Sequence, residues 1–202
     1  FDTIYHEHVS YFSLHALEQL FRQAGLRLAD ASLQAVHGGT LRTFAVPVAP
    51  ATERAQRPTP SYLALQAAER EGQVLEIAGL RRFAQRAEHV RQRLAALIAE
   101  QCAGGTRLAA YGATAKGNTL LGYCGLTNAD VEYIADRSPL KQGRLTPGAR
   151  IPIVSPDYLA AHPPHVLLLL AWNLADEIRR QLAWFAEQGG QFLVPVPDPH
   201  LI

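Results

Sequence analysis

Arg107-Leu-Ala-Ala-Tyr-Gly-Ala-Thr-Ala-Lys-Gly-Asn-Thr-Leu-Leu-Gly-Tyr123, followed by Val131-Glu-Tyr-Ile-Ala-Asp136, reads as a strand, a glycine-bearing loop, a helix and a second strand. The strand is Arg107 to Tyr111, the loop Gly112 to Gly117, the helix Asn118 to Tyr123, and the second strand Val131 to Ala135, ending on Asp136. Downstream, the same rhythm predicts a helix over Pro156–Ala161, a buried strand over Val166–Ala171, a helix over Leu174–Gln188 and a last strand over Gln191–Pro195. Strands that alternate with helices and are apolar on both faces belong in a parallel sheet covered on both sides. The expected fold class is α/β, with a Rossmann-like domain over residues 105–202.

Upstream the pattern changes. Leu14, Leu17, Leu20 and Phe21 recur at helical spacing, and Gly25 stands where that helix would stop. Leu26–Val36 and Leu41–Val48 read as strands around the turn His37-Gly38-Gly39, where glycine admits positive φ at little steric cost. Pro47, Pro50, Pro58 and Pro60 prevent either element from running on, so a boundary is expected near residue 55. From Ser61 to about Cys102 the chain is rich in Ala, Leu, Glu, Gln and Arg with apolar residues three and four apart, which predicts one long helix or two joined ones around Gly72. The expected segments are therefore 1–55, a helical connector 56–104, and 105–202.

Composition narrows the function. Nineteen Lys and Arg against eighteen acids give a net charge of +1, which is no electrostatic footprint for nucleic acid or an anionic membrane. A small-molecule partner is expected. Two cysteines, Cys102 and Cys124, without CxxC spacing supply neither a disulfide framework nor a zinc site, which points to a reducing, cytoplasmic compartment. The longest apolar run, Val166 to Trp172, is far short of the roughly 20 residues of a membrane helix. The chain opens on Phe-Asp-Thr-Ile-Tyr and contains no methionine, so it is expected to be a piece of a longer protein.

Two motifs carry chemistry. Tyr5-His6-Glu7-His8 packs four hydrogen-bonding or ionisable groups ahead of a helix. A histidine oriented by a carboxylate can take a proton from a carbon acid near neutral pH, and either His8 or His6 is a candidate general base. A polar loop capping the helix explains the cluster equally well. A metal site fits poorly, because the spacing is not HExxH and no third ligand follows. The second motif, Gly112 to Gly117, lies between strand and helix, where backbone N–H groups favour a phosphate. It is neither GxGxxG nor a Walker loop. Lys116, Gly117 and Asn118 are candidate diphosphate contacts, Asp136 stands where such folds often bind a ribose hydroxyl, and Lys141 and Asn173 lie near the same sheet edge. Tight strand–helix packing with a solvated lysine is the competing reading. His37, with Arg42 as a weaker companion, is a further candidate, since the paired glycines let the backbone approach a ligand. Trp172 and Trp184 read as packing residues.

Tyr-His-Glu-His with the following Val-Ser-Tyr-Phe-Ser, then His37-Gly-Gly-Thr-Leu-Arg42, Tyr111-Gly-Ala-Thr-Ala-Lys-Gly-Asn-Thr-Leu-Leu121 and Ile134-Ala-Asp-Arg-Ser-Pro-Leu-Lys-Gln-Gly-Arg144 together resemble the sugar C-methyltransferases that act on nucleotide-linked keto-sugars. The resemblance covers essentially the whole chain. It implies that residues 1–55 are the end of a class I methyltransferase domain, a helix plus a β-hairpin, and that 105–202 help hold the nucleotide sugar. It also implies S-adenosylmethionine as cofactor of the full-length enzyme, bound mostly by segments absent from this chain, and zinc in an absent amino-terminal module. By the family's Tyr-x-Glu-His pattern, Tyr5, Glu7 and His8 become the catalytic residues, with His8 the base and His6 a substrate contact. Deprotonation beside the ketone would yield an enolate whose carbon attacks the sulfonium methyl, and a phenol such as Tyr5 would stabilise the enolate oxygen. The fragment alone is expected to be inactive, and the cut edge of its cofactor domain to expose an apolar patch that favours self-association. Two other readings remain: an NAD(P)-type oxidoreductase domain, and a non-catalytic nucleotide-sugar-binding module.

Overall fold

In the computed structural model, which describes residues 1–36, 38–48 and 58–202, the chain divides into two units, Val9–Gln85 and Phe1–His8 together with Arg86–Ile202.

Within Val9–Gln85, the Ser13 hydroxyl accepts the Ala16 N–H at 3.1 Å and starts helix α1, Leu14–Gln23. Gly25, at φ +71°, turns the chain out of it. Strands β1, Leu26–Gln34, and β2, Thr40–Pro47, then pair antiparallel. His37 and most of the proline-rich linker lie outside the described residues. Helix α2, Pro60–Glu71, is capped by Thr59, and its Tyr62 is buried with Leu14, Leu28 and Ala31. Asp30 on β1 ties the start of α2 in place, accepting the Ser61 hydroxyl at 2.6 Å and the Thr59 hydroxyl.

The helical stretch is two helices, not one: α2 stops at Glu71, and α3 runs over Ile77–Cys102. The break is held by Gln73 at φ +52° and by Arg82, which donates to the Gly72 carbonyl at 3.0 Å. Gly79 is what lets the first turn of α3 sit there, because a Cβ on it would lie 2.0 Å from the Gln73 carbonyl oxygen.

The other unit carries a six-stranded sheet. Its strands are β3 Leu108–Tyr111, β4 Ile134–Ala135, β5 Ile153–Val154, β6 Val166–Leu169, β7 Gln191–Val194 and β8 His200–Leu201. Their order is β5-β4-β3-β6-β7-β8, parallel throughout except for β8, which is antiparallel to β7. The chain moves outward from β3 to β5 and then returns to the other side of β3, so the topological switch lies between β3 and β6, the place where such sheets bind ligands. Successive side chains alternate between the faces. Leu108, Ala110 and Leu168 meet Leu94, Leu97 and Ile98 of α3 and Leu120 and Leu121 of α4, Ala115–Cys124. Ala109, Leu167 and Leu169 meet helices on the opposite face through Leu159 of α5, Pro156–Ala161, Ile178 of α6, Ala175–Gln181, and Phe185 of α7, Ala183–Glu187. The fold is α/β with a mostly parallel sheet covered on both sides.

Several element ends differ from the sequence reading. Helix α4 starts at Ala115, so half of the expected loop is helical. Strand β4 is only Ile134–Ala135, although the Glu132 N–H still reaches the Leu108 carbonyl at 2.9 Å. The helix expected over Leu174–Gln188 is a 3-10 turn, Trp172–Leu174, then α6 and α7, interrupted where Leu182 takes φ −108° and ψ 33°. Strands β5 and β8 have two residues each and were not expected from the sequence.

Two outcomes follow from this packing. A Cβ on Gly117 of α4 would lie 2.7 Å from the Leu170 Cβ, so Gly117→Ala should destabilise the chain by about 1–3 kcal/mol, measured as a lower denaturant midpoint. The Ser61 and Thr59 hydroxyls hold the Asp30 carboxyl below its ordinary value. Its contribution to stability is thus complete above the ordinary carboxylate range and is lost as pH falls through the lowered value. Asp30→Asn should lower stability at neutral pH and change it least at low pH, where the carboxyl is already protonated, so that the acid limb of the stability–pH curve flattens.

Candidate active site

The loop after β3 is shaped from three sides. Gly112 takes φ +91°, and a Cβ there would press to 3.1 Å from Ala171 Cβ. Thr114 caps α4: its hydroxyl accepts the Gly117 N–H at 2.9 Å and donates to the Leu170 carbonyl at 2.8 Å. Asp136, at the end of β4 and buried, accepts the Ala113 N–H at 2.7 Å and the Ser138 N–H at 2.8 Å. Lys141 Nζ lies 3.3 Å from the same carboxylate and donates to the Ala113 carbonyl at 2.8 Å. Asp136 and Lys141, expected to touch substrate, are thus engaged in holding the loop, and Gly117 is engaged in packing α4 on the end of β6.

The amino-terminal segment lies along α4. The Phe1 ring packs 5.2 Å from that of Tyr123, Asp2 pairs with Lys116 at 3.7 Å, and the Thr119 hydroxyl donates to the Ile4 carbonyl at 3.3 Å. Lys116, Thr119 and Tyr123 are spaced i, i+3, i+7, which is one face of a helix. Lys116 is largely sheltered, with 17% of its side chain exposed, so its cation already faces a carboxylate.

The segment closes in a turn, with the His8 N–H bonded to the Tyr5 carbonyl at 2.9 Å, and the Tyr5 and His8 rings lie 4.4 Å apart. Tyr5 and His6 line a cleft of about 290 Å³ with Ala113, Thr114 and Asn118 of the β3–α4 turn and Thr146 and Pro147 of the loop before β5. Glu7 and His8 are exposed and are not among its lining residues; Glu7 approaches His6 at 4.0 Å. Asn118 Oδ1 is buried and has no hydrogen-bond partner among the described residues. Two motifs far apart in sequence therefore share one cleft.

Other candidates fall elsewhere. Asn173 is exposed on the 3-10 turn after β6, Arg42 is exposed on β2 of the Val9–Gln85 unit, and His37 lies outside the described residues. Trp172 and Trp184 pack against the sheet's core. The sequence reading missed Asp2, Thr119, Thr146 and Pro147. Asp2, Thr146 and Pro147 stand in no motif, and Thr119, though inside the Tyr111–Leu121 motif, joins the site only through its place on α4.

A family profile described as the C-methyltransferase C-terminal domain matches residues 35–197. The chain belongs to this family. Over all 202 residues it is 44% identical to the C-methyltransferase NovU of Streptomyces niveus, and the match covers 47% of that protein. The chain thus spans about half the length of the relative it matches.

The β3–α4 turn of this C-methyltransferase C-terminal domain does not fit an adenosyl cofactor or a dinucleotide. Its glycines are occupied by Leu170 and Ala171, and the acid that would accept ribose hydroxyls already accepts two backbone N–H groups and faces Lys141. No group of three His, Cys, Asp or Glu side chains able to hold a metal ion occurs among the described residues. No helix among them is long and apolar enough to cross a membrane.

Asp136→Ala would leave the Ala113 and Ser138 N–H groups without their acceptor and Lys141 without its counter-charge. Denaturant unfolding should show a loss of about 2–4 kcal/mol, with Asp136→Asn losing less because an amide oxygen can still accept.

Proposed function

We propose that this chain is the substrate-side portion of an S-adenosylmethionine-dependent C-methyltransferase acting on a nucleotide-linked keto-sugar. The observation that carries the reading is the shared cleft: Tyr5 and His6 of Tyr-His-Glu-His line the same cavity as the amino-terminal turn of α4. That cavity offers a place for a sugar between groups suited to proton transfer and a helix end suited to phosphate. The name of the 44% identical relative, a C-methyltransferase, supports the reaction class.

In this reading His8 removes the proton from the carbon beside the ketone, Glu7 orients the imidazole, and the Tyr5 hydroxyl donates to the developing enolate oxygen, where charge appears mainly in the transition state. The ring contact between Tyr5 and His8 keeps donor and base together. S-adenosylmethionine supplies the methyl group and is bound outside this chain's described cleft; zinc is assigned to a module beyond it. His6, His37, Asn118 and Asn173 are assigned to substrate binding. Lys116, Gly117, Asp136 and Lys141 set the shape and charge of the phosphate end. Residues 1–55 form the end of the methyltransferase domain, 56–104 the connector and 105–202 the nucleotide-sugar side. The enzyme works in the cytoplasm, and the 202-residue chain alone is inactive.

The test is transfer of a labelled methyl group to a keto-sugar nucleotide by the complete enzyme. His8→Ala should lower kcat by about 10²–10⁴-fold, the usual worth of a general base, and the 202-residue chain alone should transfer nothing. Wild-type kcat in His8→Ala would remove the base assignment, and failure of the complete enzyme on every keto-sugar nucleotide would remove the substrate class.

A further inference from the structure

Within Tyr-His-Glu-His, Tyr5 is partly sheltered, whereas His6, Glu7 and His8 are exposed. Burial does not hold exposed groups in one place, yet proton transfer needs them held, since a misplacement of about 1 Å can cost about 10²-fold in rate. The frame lies in the four residues before them. The Ile4 N–H donates to the Phe1 carbonyl at 3.1 Å and the Tyr5 N–H to the Thr3 carbonyl at 2.9 Å, so Phe1 to Tyr5 closes on itself and moves as a unit.

Three contacts fix that unit to one stripe of α4: the Phe1 ring on Tyr123, the Asp2 carboxylate on Lys116, and the Thr119 hydroxyl on the Ile4 carbonyl. Asp2 is the most informative of them. It is not among the residues that line the cleft, so a ligand seated there does not meet it. Its side chain is only 23% exposed and stands 3.7 Å from the Lys116 Nζ. A long, partly exposed ion pair adds little to stability. Holding the turn against α4, three residues ahead of Tyr5, is a use that its place in the chain does explain.

We propose that Asp2 is a positioning residue for the reaction: paired with Lys116, it locks the Phe1–Tyr5 turn to α4 and thereby sets where the Tyr5 hydroxyl and the His8 imidazole stand, with Thr119 and Tyr123 completing the clamp. The inference rests on the methyltransferase reading above and adds to it the residues that place the reacting groups. Helix α4 then carries both ends of the site. Its first turn shapes the phosphate end and its Lys116–Thr119–Tyr123 stripe carries the proton-transfer groups, so both are referred to one rigid element.

Two measurements test the clamp. In the complete enzyme, Asp2→Asn should lower kcat about 10-fold or more, with KM and the unfolding midpoint kept, because the lost contact orients the reacting groups and does not touch substrate. Asp2→Glu, which keeps the charge, should recover most of the rate. Lys116→Gln should lower kcat as well, and the double variant Asp2→Asn with Lys116→Gln should have a kcat no lower than the slower single one, as expected of two residues that act through one contact. Wild-type kcat in Asp2→Asn, a raised KM with kcat kept, or multiplied losses in the double variant would overturn the assignment. In the 202-residue chain, which needs no methyl transfer for its readout, the amide order parameters of Tyr5 to His8 should fall in Asp2→Asn towards the flexible range, below about 0.6, while those of β6 stay unchanged. A segment equally ordered in both proteins, or already mobile in the wild type, defeats the clamp alone. Absence of methyl transfer by the wild-type complete enzyme defeats the functional reading and leaves the order parameters to decide the clamp.

Discussion

The close contact between Gly117 and Leu170 governs the α/β unit. With no side chain at 117, the first turn of α4 settles onto the carboxyl end of β6, and Thr114 bridges the two by accepting the Gly117 N–H and donating to the Leu170 carbonyl. That contact spans the topological switch between β3 and β6. It sets the height and direction of α4, and every part of the candidate site is measured from α4. The buried Asp136 carboxylate complements it from β4, drawing in the backbone N–H of Ala113 so that the turn has one shape.

The cost of this arrangement is borne by polar groups that a sequence motif would assign to a ligand. Asp136, Lys141 and Thr114 satisfy one another and the loop backbone, as buried polar groups must. The rim of the cleft is lined by Tyr5 and His6 from the amino-terminal segment and by Asn118 of α4. The segment Phe1–His8 reaches the rim because a ring contact, an ion pair and a hydrogen bond attach it along one stripe of α4. None of the three is strong alone, since the ion pair is long and the hydrogen bond is to a single carbonyl. Their spacing along the helix is what orients Tyr5 towards the cleft.

In the Val9–Gln85 unit the burial is lighter. Among its described residues the buried apolar cluster is Leu14, Leu28, Ala31 and Tyr62, around which α1, α2 and the β1–β2 hairpin assemble. Polar ties add to this small core, with Asp30 holding the start of α2 and Glu69 of α2 accepting the Leu14 and His15 N–H groups at the start of α1. Burial, with the Glu18 carboxylate beside it, pushes the Tyr62 phenol well above its ordinary value, and the phenol donates to that carboxylate.

By itself the sequence determined what local chemistry can determine. Helical spacing marked α1 and the stretch that holds α2, apolar runs marked β3, β6 and β7, and alternation of helices with strands implied the covered parallel sheet. The family was legible as well, because its motifs are long and local. Elements of two residues, such as β5 and β8, exist only because a neighbouring strand supplies their hydrogen bonds, so no local signal announced them. The same holds at the site. Tyr-His-Glu-His and the Gly112–Gly117 stretch each announced chemistry, but only the tertiary structure brought Tyr5 and His6 to the turn of α4. It also turned Asp136 and Lys141 inward and left Asn118 Oδ1 without a donor among the described residues, because burial and partner choice are set by residues distant in the chain.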